Sequence, residues 1–218
     1  MASARFESVK AILKQDIPAG RFSSWLQSTK KAQATKDGAD IPCGTCTACC
    51  RSSYFIHIRP DETKTLARIP KKLLFAAPGL PKGNVLMGYD EQGQCPMFKN
   101  NKCSIYEDRP QTCRTYDCRI FPATGISVGK DKPLIAKQQK RWKFDLKTER
   151  ERKQLAAVQA AAKFLQKNAK HFPEGFVPAN TTQQAVLAIK VHQVFLDSGK
   201  TKSNREMVDA VMTHTLTP

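Results

Sequence analysis

Residues 43–50 read Cys-Gly-Thr-Cys-Thr-Ala-Cys-Cys, a C-x-x-C-x-x-C-C run. Two thiolates three residues apart on a tight loop can face one ion, because the intervening amides turn inward and donate to the sulfurs. Gly44, Thr45, Thr47 and Ala48 are small enough to permit such a loop. Cys95, Cys103, Cys113 and Cys118 follow, so all eight cysteines lie between positions 43 and 118 of a 218-residue chain. The opening Met-Ala-Ser-Ala-Arg-Phe-Glu-Ser-Val-Lys has no apolar core and no cleavage signature, which predicts no secretion and a cytoplasmic location. In that setting clustered cysteines read as metal ligands rather than as a disulfide framework.

The donor set admits zinc or an iron–sulfur cluster. Cys43, Cys46 and Cys49 meet the first three positions of ferredoxin-type spacing, but the fourth falls on Ser53, followed by Tyr54 rather than proline. Cys95-Pro96 supplies a Cys-Pro pair from a distant segment, and Cys43, Cys46, Cys95 and Cys103 are expected to share one site. Zinc would divide the eight thiolates into two tetrahedral sites or take four for one ion. His57, on a short strand, reads as a packed or solvated residue and not as a ligand. Sulfur-ligated centres are anionic and need donors and cations around them. Arg51, Arg114 and Arg119 each follow a cysteine directly and Arg109 lies four before Cys113, which assigns these four arginines to the sulfurs.

Outward from the run, hydrophobic periodicity and punctuation set the fold. Phe6, Val9 and Leu13 share one face of a helix over about 3–14, and Phe22, Trp25 and Leu26 mark a second over about 22–35. Tyr54 to Ile58 alternates as a strand, Asp61 to Ile69 reads as a brief helix, and residues 70–84, with three prolines, read as irregular. Val85–Tyr89 and Gln94–Phe98 flank Asp90-Glu91-Gln92-Gly93 as a hairpin. Trp142–Leu146 alternates as a strand expected to cover the cysteine core. Capping boxes at Thr148…Glu151, Thr181…Gln184 and Ser203…Glu206 then open three helices, the second stopping at Gly199. The reading is an α+β fold: N-terminal helices over 1–42, an irregular cysteine-ligated metal core with short strands over 43–146, and a C-terminal helical cap over 147–218. No apolar run approaches the roughly 18 residues that span a bilayer.

Charge is uneven. The chain carries 36 Lys and Arg against 19 Asp and Glu, formally +17, and residues 119–171 hold 14 basic groups against 4 acidic ones. Lys140, Arg141, Lys143, Lys147, Arg150, Arg152 and Lys153 precede or fill the first turns of the helix capped at Thr148. A helix N-terminus already carries partial positive charge, so this stretch predicts an anionic partner: RNA, an acidic protein or an anionic metabolite. Net charge alone licenses only non-specific attraction.

The run, together with Cys95-Pro96-Met97-Phe98-x4-Cys103-Ser104-Ile105-Tyr106-Glu107-Asp108-Arg109-Pro110-Gln111-Thr112-Cys113, resembles the CxxCxxCC family of zinc- or iron-chelating proteins, the YkgJ-type cysteine-cluster proteins. The resemblance covers about residues 43–120. It implies chelation by Cys43, Cys46, Cys49, Cys50, Cys95, Cys103 and Cys113, while Cys118 belongs to a variant pattern that not all members share. Members are often labelled Fe–S oxidoreductases, and a flagellin lysine N-methylase bears a similar cluster. This chain shows no nucleotide-binding glycine fingerprint and no C-x3-C-x-x-C radical signature. The function read from the sequence is therefore an intracellular metal-chelating cysteine-cluster protein holding zinc or an iron–sulfur centre. Two alternatives stand beside it: a cluster-dependent oxidoreductase, and a zinc-stabilised nucleic-acid-binding module using residues 119–171.

Overall fold

Nine helices and seven short strands are found among the residues described by the computed structural model, which are 15–35, 38–39, 41, 43–196 and 203–216. The strands are β1 (Ile17–Arg21), β2 (Ile56–Ile58), β3 (Leu74–Ala76), β4 (Val85–Met87), β5 (Phe98–Lys99), β6 (Lys102–Cys103) and β7 (Trp142–Asp145). The helices are α1 (Phe22–Thr35), α2 (Thr63–Arg68), α3 (Gln111–Thr115), α4 (Ile120–Thr124), α5 (Pro133–Gln139), α6 (Glu149–Asn168), α7 (Thr181–Val191), α8 (Gln193–Leu196) and α9 (Asn204–Leu216). The expected helix over 3–14 and the stop at Gly199 lie outside the described residues. No described helix is long and apolar enough to cross a membrane.

The chain divides into two compact units. One comprises residues 31–117 and 130–135; the other takes 1–30, 118–129 and 136–218. The second is mostly helical. Phe22, Trp25 and Leu26, buried at the start of α1, follow from their apolar spacing. Phe22 meets the Phe144 ring edge-on at 5.2 Å, and Trp25 lies 4.8 Å from it. α6 opens with a complete capping box between Thr148 and Glu151 and buries Ala157, Val158, Ala161, Ala162 and Leu165. It packs on α4, α7 and α8, and α9 rests on α7 and α8. The Ser203–Glu206 capping box also forms, with Glu206 N–H donating to Ser203 Oγ at 3.3 Å. At α7 the cap sits one residue earlier than Thr181: the Asn180 side chain accepts from Thr182 and Gln183 N–H at 2.9 and 3.1 Å.

β7 belongs to this helical unit, not to the unit that carries seven of the eight cysteines. It pairs in parallel with β1, Ile17 against Trp142 through Arg21 against Asp145. β1 carries Pro18 and Gly20, which hid it from any propensity reading, and its partner is remote in sequence.

The cysteine-bearing unit is built on the antiparallel order β2-β4-β3. Residues 70–84 are not wholly irregular, because Leu74-Phe75-Ala76 pairs with β4. The expected hairpin between Val85–Tyr89 and Gln94–Phe98 also differs. Its turn forms, with Gly93 N–H donating to Asp90 O and Gln92 and Gln94 N–H to the Asp90 carboxylate. Beyond it the chain does not return along β4, whose two sides are taken by β2 and β3. Pro96 offers no N–H for a ladder, and Phe98 N–H instead closes a turn on Cys95 O at 2.8 Å. The unit's core is small: Ile58, Ile69, Met87, Met97 and Ile105, with Cys95 and Cys103 packed against it.

Candidate metal centre

Four segments of this unit carry seven of the eight cysteines. The run turns back at once, Cys46 N–H donating to Cys43 O at 2.9 Å with Gly44 at φ +53°, and then winds into a 3₁₀ turn over Cys49–Arg51. The end of that turn is joined to the second segment by Cys95 N–H on Cys50 O at 2.8 Å and Ser53 N–H on Gly93 O at 2.9 Å. Gly93 lies at φ +73°, and a Cβ there would strike Ser53 Oγ, so this junction requires glycine. The third segment is the β5–β6 hairpin, which sets Cys103 opposite Phe98 through Asn100 and Asn101, both at positive φ. The fourth is α3, where Cys113 N–H donates to Pro110 O at 2.8 Å.

Electrostatics single out four thiols. Burial pushes the Cys113 thiol up to about 12, and the charges of Cys95, Cys50 and Cys103 push the same way while Arg109 opposes them. Burial likewise takes Cys50 up to about 11, with contributions from Cys95, Cys103, Cys46 and Cys43. Cys95 is raised by burial and by Cys103, against backbone amides of Met97 and Phe98 that donate to its sulfur. Cys95 and Cys103 thus bear on both Cys50 and Cys113, Cys103 on Cys95, and Cys50 on Cys113, which ties the four thiols into one neighbourhood. Cys43 and Cys46 reach Cys50, and Cys49 shares its 3₁₀ turn. All eight cysteines are free thiols. Among the described residues no three His, Cys, Asp or Glu side chains are arranged to hold an ion, so the four are electrostatic neighbours rather than a closed ligand set. Their chemistry fits a soft or borderline metal, since a cation among them would offset the burial and repulsion that raise Cys50, Cys95 and Cys113.

The remaining predicted residues divide. Arg109 bears on Cys113, donates to Tyr106 O at 2.7 Å and lies over the Tyr106 ring. Tyr106 is itself exposed and does not pack against the cluster, whereas Ile105 is buried in the core. Arg51 is exposed in the Cys49–Arg51 turn. Arg114 stands 3.9 Å from Glu62. His57 Nε2 is paired with Asn84 Oδ1 at 2.8 Å. Glu62, which spacing gave no reason to choose, is buried; its carboxylate accepts from Arg59 N–H at 3.0 Å and Gln111 N–H at 2.6 Å. It thereby fixes the start of α3, two residues before Cys113, and only its position just ahead of α2 could have drawn attention to it.

Cys118 and Arg119 fall in the helical unit. Cys118 is buried and accepts from Trp142 Nε1–H at 3.1 Å, and Arg119 donates to Ala19 O at 3.1 Å. Cys118→Ala should accordingly leave the metal content of the purified protein unchanged while lowering its thermal stability slightly, by about 1 kcal/mol for one lost weak hydrogen bond and a small cavity. Metal analysis beside a melting curve checks both; loss of metal would count Cys118 among the ligands. Several members of the basic stretch are engaged locally: Lys143 with Asp16 at 3.8 Å, Lys147 with Asp145 at 3.4 Å, and Arg152 with Glu149 at 3.0 Å.

Compared with known families, residues 42–141 match the CxxCxxCC family model, described as "Putative zinc- or iron-chelating domain". No curated protein matches the chain, and no solved structure does.

Proposed function

We propose that this chain is a metal-chelating cysteine-cluster protein in which Cys50, Cys95, Cys103 and Cys113 hold one zinc or iron centre, with Cys43, Cys46 and Cys49 as neighbouring thiols of the same cluster. The convergence of Cys50, Cys95 and Cys103 on the buried Cys113 carries the reading, and the two amides aimed at the Cys95 sulfur support it, since sulfur ligands recruit such donors. Four protein thiolates close a tetrahedral site and leave no position for substrate, which favours a structural or storage role over catalysis. Anaerobic purification followed by metal analysis and an absorption spectrum tests it. Broad absorption near about 400 nm with iron would mean an iron–sulfur centre, and colourless protein with stoichiometric zinc would mean a zinc site. Metal-free protein that fails to take up either ion under reducing conditions would end the proposal.

Proton linkage gives a second readout. Thiols raised to about 11 and about 12 are neutral at pH 7, and they must lose their protons to ligate. Metal and protons compete, so apparent affinity should fall as pH falls, by about one log unit per pH unit for each thiol deprotonated. Zinc titration against a competing chelator across the neutral range measures the slope. A flat dependence would mean the ion sits on groups already ionised, such as carboxylates.

A further inference from the structure

The helical unit holds a cleft of about 620 Å³ at the N-terminus of α6, bordered by the start of α1 and the end of α7. That volume suits a small organic ligand. Its charge is not balanced. Arg21 is matched by the buried Glu151 at 2.7 Å, and Glu149 is engaged by Arg152, whereas Lys30 and Arg150 line or border the same cleft with no ion pair among the described residues. Two free cations beside a helix N-terminus suit a dianion better than a single carboxylate, and a phosphomonoester carries about −1.5 to −2 at neutral pH.

The floor of the cleft makes the opposite demand. His192 is 1% exposed, and its Nδ1 lies 2.6 Å from Ile189 O. A carbonyl only accepts, so Nδ1 carries the proton and Nε2 presents a lone pair. That Nε2 has no hydrogen-bond partner, and neither does Oε1 of Gln154 on the same wall. Buried acceptors are almost always satisfied, so two orphans lining one cleft point to a ligand bearing donors.

We propose that this cleft binds a small hydroxylated phosphomonoester, of the sugar-phosphate class, with Lys30 and Arg150 on the phosphate and His192 Nε2 and Gln154 on the hydroxyl groups. The site is independent of the metal proposal, and its experiment does not depend on metal content.

Calorimetry on the full chain with ribose 5-phosphate, inorganic phosphate and ribose as separate probes provides the test. Ribose 5-phosphate should bind at least about tenfold more tightly than either fragment, because only it meets both halves of the site. The double variant Lys30→Gln/Arg150→Gln, altering two exposed and unpaired side chains, should keep its melting temperature and lose about ten- to a hundredfold in affinity. Nitrogen NMR should show the His192 Nε2 resonance moving on addition of ribose 5-phosphate but not of inorganic phosphate. Undiminished binding by the double variant, equal affinity for ribose 5-phosphate and phosphate, an unmoved His192 signal, or no heat with any probe would each overturn the assignment.

Discussion

Stripping the metal from the purified protein is expected to unfold the cysteine-bearing unit while the helical unit stays folded. The two differ in what holds them. The core cluster of the former has five buried apolar side chains, Ile58, Ile69, Met87, Met97 and Ile105, behind strands of two or three residues. At about 1.5–3 kcal/mol each, their burial is of the order of 10 kcal/mol, far below the ordering cost of a segment of that length. A structural zinc contributes about 10–16 kcal/mol of binding free energy that exists only when the site is folded. The helical unit has Phe22, Phe121, Val158, Leu165, Ile189 and Val211 essentially excluded from water and needs no such addition. Peptide-resolved hydrogen exchange before and after chelation reads the difference. Peptides within 56–113 should lose their protection and those within 149–191 should keep it. Cys113→Ser should reproduce the pattern with metal present. Unchanged protection at β2 and β4 after complete metal removal would show that metal has no part in this fold.

Replacing Glu151 with Gln should give the helical unit its largest loss from any single polar substitution, together with a blunted response to acid. One oxygen of Glu151 accepts from Ser23 Oγ at 2.6 Å and Arg21 Nε at 2.7 Å, and the other from Thr148 N–H at 3.0 Å and Thr148 Oγ1 at 3.1 Å. The Ser23 hydroxyl is the largest influence holding this carboxyl well below its usual range; burial opposes it, and Arg21 and Thr148 add to it. A carboxyl depressed in the folded state stabilises that state above its ordinary value of 4.5, and the stabilisation drains away as pH falls below it. The wild-type melting temperature should therefore drop steeply below about pH 4.5, while the Gln variant starts lower and falls less. Parallel acid limbs in the two proteins would remove Glu151 as the source.

Features written locally were legible in the sequence. α1 follows from Phe22, Trp25 and Leu26, α6 from Thr148 and Glu151, and α9 from Ser203 and Glu206, each signal lying within one turn of the element it starts. The resemblance that the CxxCxxCC family model matches over residues 42–141 was legible for the same reason, its spacing being a local property. Partnerships across long stretches were not. β1 reads as a loop until Trp142 and Phe144 supply its other side, and β3 hides between Pro70 and Pro78 until β4 pairs with it. The Asn100-Asn101 turn was an overlooked local sign, two residues that tolerate left-handed backbone in the two-residue turn of the β5–β6 hairpin. Among the cysteines, spacing shows which thiols share a loop but not which remote thiols meet them. Cys50 and Cys113 consequently emerge beside Cys95 and Cys103 only from the folded chain.

The parallel pairing of β1 with β7 has a consequence for how the chain leaves the ribosome. Arg21 and Glu151 are joined by a salt bridge across 130 residues, and the whole cysteine run lies on the loop between them. During synthesis β1 emerges first and then waits, its edge unpaired, until every cysteine has been made. An unfolded loop of that length carries a closure entropy that grows with the logarithm of its length, and each halving of the flexible portion recovers about 0.6 kcal/mol. A cysteine region already folded when β7 appears shortens the search. The order of translation thus makes the inserted segment a gatekeeper for completion of the unit that encloses it in sequence, and an exposed waiting strand is the hazard if that segment is slow to fold.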